Sequence, residues 1–424
     1  MVRVLTVTNW YPPHHYGGYE LSCYDVMTRL EARGHEVMVL CGDTRLPSEP
    51  APLDAAHETH VRRELRLYHD GADILRPPWR ERLAIERHNH RALRQAIEDH
   101  RPDVVSIWHL AAVSQGLLQD IVDAGLPMVL AVCDDWLTYG LHLDAWARPF
   151  HGSAPRRAAG RVVARLTGVP CGAPDIGPIG SFLFVTQATE ATALESARWH
   201  PERRTVVFSG IDRTVFRDEA EADRPWAWRL VTTGRFDPRK GFETAVRALA
   251  LLPAEATLAI WGRGGDDERA RLRGMAEELG VSDRVRFGTL EREELPGAYR
   301  AADVMLFPST WPEPFGLVPI EAMACRTPVI GTGVGGSAEF LVDDGNCLLV
   351  PPGDPIALAD AVRRLAADPA LRHRLVEGGG RTAAELDVEV LADVMEAWHV
   401  YEAGGRTEPR PADRPRPGAA AGRQ

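Results

Sequence analysis

Along most of the chain, short apolar runs alternate with longer segments whose apolar positions recur at helical spacing. Residues 2–8, 36–41, 104–108, 128–132, 182–186 and 206–209 read as strands of one series. A second series restarts at Leu230 and continues through Leu258, Val285, 304–307 and 328–330. Runs that are apolar on both faces predict strands buried between helices, and strand–helix alternation predicts parallel sheets. The expected fold class is therefore α/β, with two Rossmann-like, doubly wound parallel-sheet domains. The first is expected over residues 1–215 and the second over 226–385. The boundary falls in the charged stretch 213–225, after which Trp226 and Trp228 open the second domain. A last helix is read over 386–403.

Composition narrows the function classes. At 424 residues and 45% hydrophobic content, the chain can bury two cores. Its net charge of -11 argues against a general nucleic-acid binder. The six cysteines lack Cys-x-x-Cys spacing and read as reduced thiols of a cytoplasmic protein. Residues 2–8 are too short for a signal h-region and read as a first strand rather than a leader. No apolar run approaches a membrane span. Residues 404–424, rich in Gly, Pro, Arg and Ala, are expected to form a disordered tail.

Two segments carry candidate chemistry. In Trp311-Pro312-Glu313-Pro314 each proline biases its predecessor toward extended backbone, whereas Gly316 to Ala324 reads as the first turns of a helix. Glu313 is thus expected in a loop and Glu321 in the helix. Between them, free N–H groups of Phe315, Gly316 and Leu317 would face out from a helix N-terminus that favours phosphate. Carboxylates on both sides of a phosphate pocket suit a ligand offering hydroxyls, as ribose and a hexose do. The second segment, Gly234-Arg235-Phe236-Asp237-Pro238-Arg239-Lys240-Gly241, reads as a strand end turning into a helix. Lys240 is the only lysine among 49 basic residues. Its compact ammonium beside the planar Arg235 guanidinium suits a diphosphate.

Several alternatives fall away. Lys240 is followed by Gly241, so the segment is not a P-loop. Gly262-Arg263-Gly264-Gly265 is only a partial dinucleotide fingerprint. There is no Asp-x-Asp to hold a metal–diphosphate, no His-Glu-x-x-His and no Gly-x-Ser-x-Gly.

Further segments join these in chain order: Tyr11-Pro12-Pro13, Gly17-Gly18, Arg33-Gly34-His35-Glu36-Val37, Ser209-Gly210-Ile211-Asp212 with Phe216, Phe287-Gly288, and Gly331 to Glu339. With them the chain resembles the family 4 retaining glycosyltransferases of the GT-B fold over nearly all of residues 1–403. The resemblance implies two domains facing across a cleft, with 386–403 as a crossover helix returning to the first. It implies that Arg235 and Lys240 neutralise the donor diphosphate, that Glu321 holds the ribose, and that Glu313 with the N–H groups of Phe315, Gly316 and Leu317 holds the donor sugar. Gly17, Gly18, Gly234 and Gly288 would lie against the donor. Glu313, Arg235, Lys240 and Asp134 are the catalytic candidates. Neither a metal nor a cofactor is implied, the nucleoside diphosphate sugar being the co-substrate.

One departure concerns the histidine that many members carry beside the donor sugar. Here the run is Val132-Cys133-Asp134-Asp135-Trp136, and either Cys133 or Asp134 takes its place. His109, Asp134 and Asp135 are expected on the acceptor side. The basic segments 79–100 and 156–165 read as solvated helix faces, with weak peripheral membrane contact as the alternative. A homodimer is left open as well. The resulting expectation is metal-independent transfer of a hexose-type sugar to an acceptor hydroxyl. The alternatives are a GT-B sugar-nucleotide epimerase or hydrolase, and a donor-binding homologue without activity. The base, the sugar and the acceptor stay open.

Overall fold

The computed structural model describes residues 1–45, 54–69, 74–196, 199–219, 225–405 and 407–409. One sheet has seven strands, β1 Arg3–Thr8, β2 Glu36–Gly42, β3 Val61–Leu65, β4 Val104–His109, β5 Met128–Val132, β6 Gly180–Phe184 and β7 Arg203–Val206. Their order is β3-β2-β1-β4-β5-β6-β7, all parallel. The other has β8 Arg229–Thr233, β9 Thr257–Trp261, β10 Val285–Gly288, β11 Val304–Phe307, β12 Val329–Gly331 and β13 Leu348–Leu349. These run parallel in the order β10-β9-β8-β11-β12-β13.

Helical crossovers cover both faces of such sheets, and β4, β5, β6 and β11 are accordingly buried at every position. The first core packs Leu5, Ile107, Leu130 and Phe182 with Trp136 and Trp199, and the second packs Leu230, Ile260, Leu306 and Ile330 with Phe242. The strand order reverses between β1 and β4 in one sheet and between β8 and β11 in the other. Outside the carboxyl ends at such a reversal, helices diverge and leave room for a ligand.

The chain divides into two compact units, one made of residues 1–208 with the chain from 391, the other of 209–390. The helix Val388–Glu402 therefore starts in the second unit and continues in the first. There Glu396 accepts from Arg33 at 2.7 Å and from His35 at 2.9 Å. Glu402 accepts from Arg203 at 3.0 Å and from the Ser181 hydroxyl. His399 on the same helix is buried, and burial pushes its imidazole down to about 4.

Some strands differ from the hydrophobic reading. β3, with Arg62, Arg63 and Glu64, is an edge strand, where charge is tolerated and blunts pairing with other chains. β13, also unexpected, is a two-residue edge. β6 and β7 start two and three residues before their apolar runs, because Gly180 pairs with Met128 and Arg203 with Ser181. The tail expected over 404–424 lies, apart from residues 404, 405 and 407–409, outside the described residues, as does part of the expected boundary stretch. Among the described residues no helix is long and apolar enough to cross a membrane.

Candidate active site

In the second unit the carboxyl ends of β8, β11 and β12 lie side by side and carry the segments singled out from sequence. After β8 the chain passes Gly234 (φ 145°) to Asp237, whose carboxylate caps the short turn Pro238–Lys240 by accepting from the Arg239 N–H at 3.0 Å. Asp237 also holds the Arg239 guanidinium at 2.6 Å, and that hydrogen bond draws its carboxyl down to about 2. Arg239 is thereby committed within the loop, while Arg235 is exposed and Lys240 half-buried. Gly241 follows at φ 69°, where a Cβ would lie 1.9 Å from the Pro308 carbonyl oxygen. Only glycine lets the β8 and β11 loops approach this closely. A similar contact joins β8 to β9, since a Cβ on Gly262 would meet the Gly234 carbonyl oxygen at 1.8 Å.

After β11 the chain runs through Ser309 to Glu313, which is 7% exposed. Lys240 Nζ donates to Glu313 Oε1 at 2.7 Å, and the Ser309 hydroxyl lies 2.9 Å from the same oxygen. The Glu313 backbone is pinned from β12, with the Gly336 N–H donating to its carbonyl at 2.6 Å. Gly316, at φ 100°, precedes the helix Leu317–Ala324, which thus starts four residues after Glu313, and its first N–H groups have no intrahelical acceptor. The Phe315 side chain is buried against Phe340 at 4.9 Å, so its ring belongs to the core. Glu321, in the second turn of that helix, accepts from the Tyr299 hydroxyl at 2.7 Å, and Tyr299 is tied in turn to Thr233 at the end of β8 at 2.8 Å. Gly288 ends β10 under Trp261, where a Cβ would press 2.4 Å from the indole. Its carbonyl accepts from the Gly262 N–H at 2.9 Å.

The first unit carries a second polar cluster at the ends of β1, β4 and β5. His109 closes β4 and is 4% exposed. Its Nδ1 faces two N–H donors, Asn9 Nδ2 at 2.8 Å and the Ala111 backbone at 3.2 Å. The Asn9 orientation is fixed because its Oδ1 accepts from Trp10 N–H at 2.7 Å and from the Tyr19 hydroxyl at 2.6 Å. The ring proton therefore sits on Nε2 and points at Asp134 Oδ2, 3.1 Å away. Tyr139 donates to the same oxygen at 2.6 Å, and the Trp136 N–H to Oδ1 at 2.9 Å. Burial alone would push the Asp134 carboxyl up, but His109 and these donors together hold it below the usual range. Tyr19 stacks on His109 with ring centroids 4.6 Å apart.

The neighbours of Asp134 behave differently. Cys133 has its thiol pushed up by burial, and half-buried Asp135 is raised by burial and by the Asp134 charge. Of the pair considered for the histidine position, Asp134 is the one joined to His109. Gly17 and Gly18 open the helix Gly18–Ala32, and the Gly17 N–H donates to Glu20 Oε2 at 2.9 Å. Ser309, Tyr299, Thr233, Asn9, Tyr19 and Tyr139 were not expected from sequence. Ser309 and Tyr139 lie four and five residues from their partners Glu313 and Asp134, a spacing that marks no motif, whereas Tyr299, Thr233, Asn9 and Tyr19 have partners on other elements, so spacing carried no signal for them.

Comparison with known proteins covers both units. A family model described as Glycosyltransferase Family 4 matches residues 16–215, and one described as Glycosyl transferases group 1 matches residues 218–382. The lipopolysaccharide core biosynthesis glycosyltransferase LpsE of Rhizobium meliloti is 39% identical over 198 residues, covering 46% of this chain and 57% of that protein. The D-inositol 3-phosphate glycosyltransferase of Mycolicibacterium smegmatis is 34% identical over 296 residues, 64% of this chain and 66% of that protein. The chain thus spans about half the length of the curated relatives it matches. The crystal structure of Anabaena HepE in complex with UDP-glucose superposes with a TM-score of 0.65 at 20% identity, covering 93% of this chain and 98% of that one. At that identity the likeness shows the fold, which is GT-B.

Proposed function

Because the chain belongs to the group 1, family 4 glycosyltransferases, we propose that it moves a hexose-type sugar from a nucleoside diphosphate donor to an acceptor hydroxyl, with retention and without a metal. The observation that carries this reading is the 2.7 Å contact between Lys240 and Glu313 at the reversal point of the second sheet, beside a helix N-terminus. In this reading Lys240 and exposed Arg235 face the diphosphate and offset the charge that grows on it as the glycosidic bond breaks. Glu313, already ordered by Ser309, accepts from a donor-sugar hydroxyl. Glu321, held by Tyr299, accepts from the ribose. The leaving phosphate oxygen takes the acceptor proton. His109 and Asp134 serve the acceptor side, where an Asp134 held ionised can accept from a hydroxyl.

The UDP-glucose bound by HepE makes UDP-sugars the first donors to try. Inositol 3-phosphate and lipopolysaccharide core acceptors follow from the names of the relatives. The test is a thermal-shift panel of UDP-, GDP-, ADP- and dTDP-sugars on wild type, Lys240→Ala and Glu313→Gln, followed by product assay with the donor that binds. Wild type should be stabilised by one donor. Lys240→Ala should lose that shift, and Glu313→Gln should transfer about a hundredfold to a thousandfold more slowly. Stabilisation of both variants to the wild-type extent would sink the assignment of this pair.

A further inference from the structure

In the first unit, on residues given no role above, Glu31, His57 and His60 converge on one point. Glu31 lies in the last turn of the helix Gly18–Ala32; His57 lies in the short helix Ala55–Glu58 that leads toward the edge strand β3. Glu31 Oε2 is 2.6 Å from His57 Nδ1, and Glu31 Oε1 is 2.8 Å from His60 Nδ1. The three ligand atoms lie within 4.8 Å of one another. Two imidazoles and one carboxylate form a donor set typical of zinc and similar borderline divalent ions, one that magnesium and calcium do not favour.

The surroundings are those of a supported ligand set. His57 is 3% exposed, its backbone N–H is capped by Asp54, and its far nitrogen Nε2 meets the Tyr11 hydroxyl at 2.6 Å. That is the outer partner which orients a metal-bound histidine. The Tyr24 ring meets the imidazole edge-on at 5.4 Å. The His60 backbone is fixed on both sides, donating to the His57 carbonyl at 2.9 Å and accepting from Val39 of β2 at 2.9 Å. Its side chain is 54% exposed, leaving a path for an ion and a position for water.

We propose that Glu31, His57 and His60 bind one zinc-type divalent cation, which staples the end of the helix Gly18–Ala32 to the segment entering β3. Nδ1 of each ring faces a Glu31 oxygen and is the atom each histidine offers to the ion. An ion held there leaves Nε2 of His57 toward the Tyr11 hydroxyl. The Nδ1–O gaps open by about half an ångström to reach tetrahedral spacing at about 2 Å per bond. The site is structural and separate from the proposed transfer machinery, so its test stands apart from the test of that reading.

The full chain, stripped with chelator, is titrated with Zn2+, Co2+ and Mg2+ by calorimetry, visible absorption and thermal shift. One equivalent of Zn2+ should raise the melting temperature, Co2+ should give the intense visible bands of four-coordination, and Mg2+ should do neither. His60→Ala, an exposed position, keeps the fold and should weaken Zn2+ binding about tenfold or more; Glu31→Gln should do the same. Absence of stoichiometric binding by the wild type would overturn the proposal, and so would unchanged affinity in both variants, which would assign the ion to others of the 15 histidines.

Discussion

The two polar clusters occupy equivalent places, each at the carboxyl ends of three neighbouring strands where its sheet reverses order, but they are built differently. Around Lys240 and Glu313 the backbone does the positioning: Gly241, Gly262 and Gly335 are sites where a Cβ would come within 1.9, 1.8 and 2.5 Å of other main-chain atoms. Around His109 and Asp134 the side chains do it, through Asn9, Tyr19 and Tyr139. A site built on close backbone contact tolerates no added methyl. A site built on a hydrogen-bond relay tolerates local movement but depends on every proton being in its place.

The sharpest way to break this comparison is Gly241→Ala. It adds a clash with Pro308 to a left-handed backbone, and should cost the second unit about 4 kcal/mol, read as a lowered urea midpoint. Destabilisation below about 1 kcal/mol would mean that the loop relaxes and that the backbone account is wrong.

Asp134→Asn probes the other construction. Losing the acceptor of two side-chain donors should cost about 1–3 kcal/mol near neutral pH. Because the folded carboxyl is held below its ordinary value, its contribution is full above the unfolded pKa of about 4 and disappears as pH falls through the lowered folded value. Urea midpoints should therefore converge for wild type and variant in acid. Parallel curves down to the lowest pH would remove Asp134 from the relay.

Tyr19→Phe is the finest test. It keeps the ring stacked on His109 and deletes only the hydroxyl that orients Asn9, so it should cost about 1 kcal/mol. Its use is as the first arm of a cycle with Asp134→Asn. Strict additivity would show that the Tyr19 hydroxyl is not coupled to Asp134 through Asn9 and His109.

The same contrast explains what could be read from the chain. The glycines and prolines from 234 to 241 and 311 to 316 encode backbone geometry, and backbone geometry is local in sequence. Glu313 and Lys240 could each be singled out because each sits inside such a segment, although their direct contact was not expected. The support under Glu321 could not, since Tyr299 and Thr233 are ordinary residues until three elements bring them together. His109 and Asp134 were noticed separately, but the tautomer that joins them is set by Asn9, 100 residues away in the chain. Among the strands, β3 escaped because an edge needs no continuous apolar run, and β13 because its two residues are too short to read as a strand. His57 and His60 escaped for another reason: their third partner, Glu31, is on a helix in front of the preceding strand.

The division of the chain at 208 and again at 390 has a consequence for synthesis. Residues 209–390 form an uninterrupted segment and can complete their fold once Val390 has left the ribosome. The first unit emerges earlier, yet Arg33, His35, Ser181 and Arg203 must wait for Glu396 and Glu402, which are made after the whole of 209–390. The half that is translated first is thus the half that finishes last, and a chain cut short at residue 390 would leave the older half with its acceptors missing.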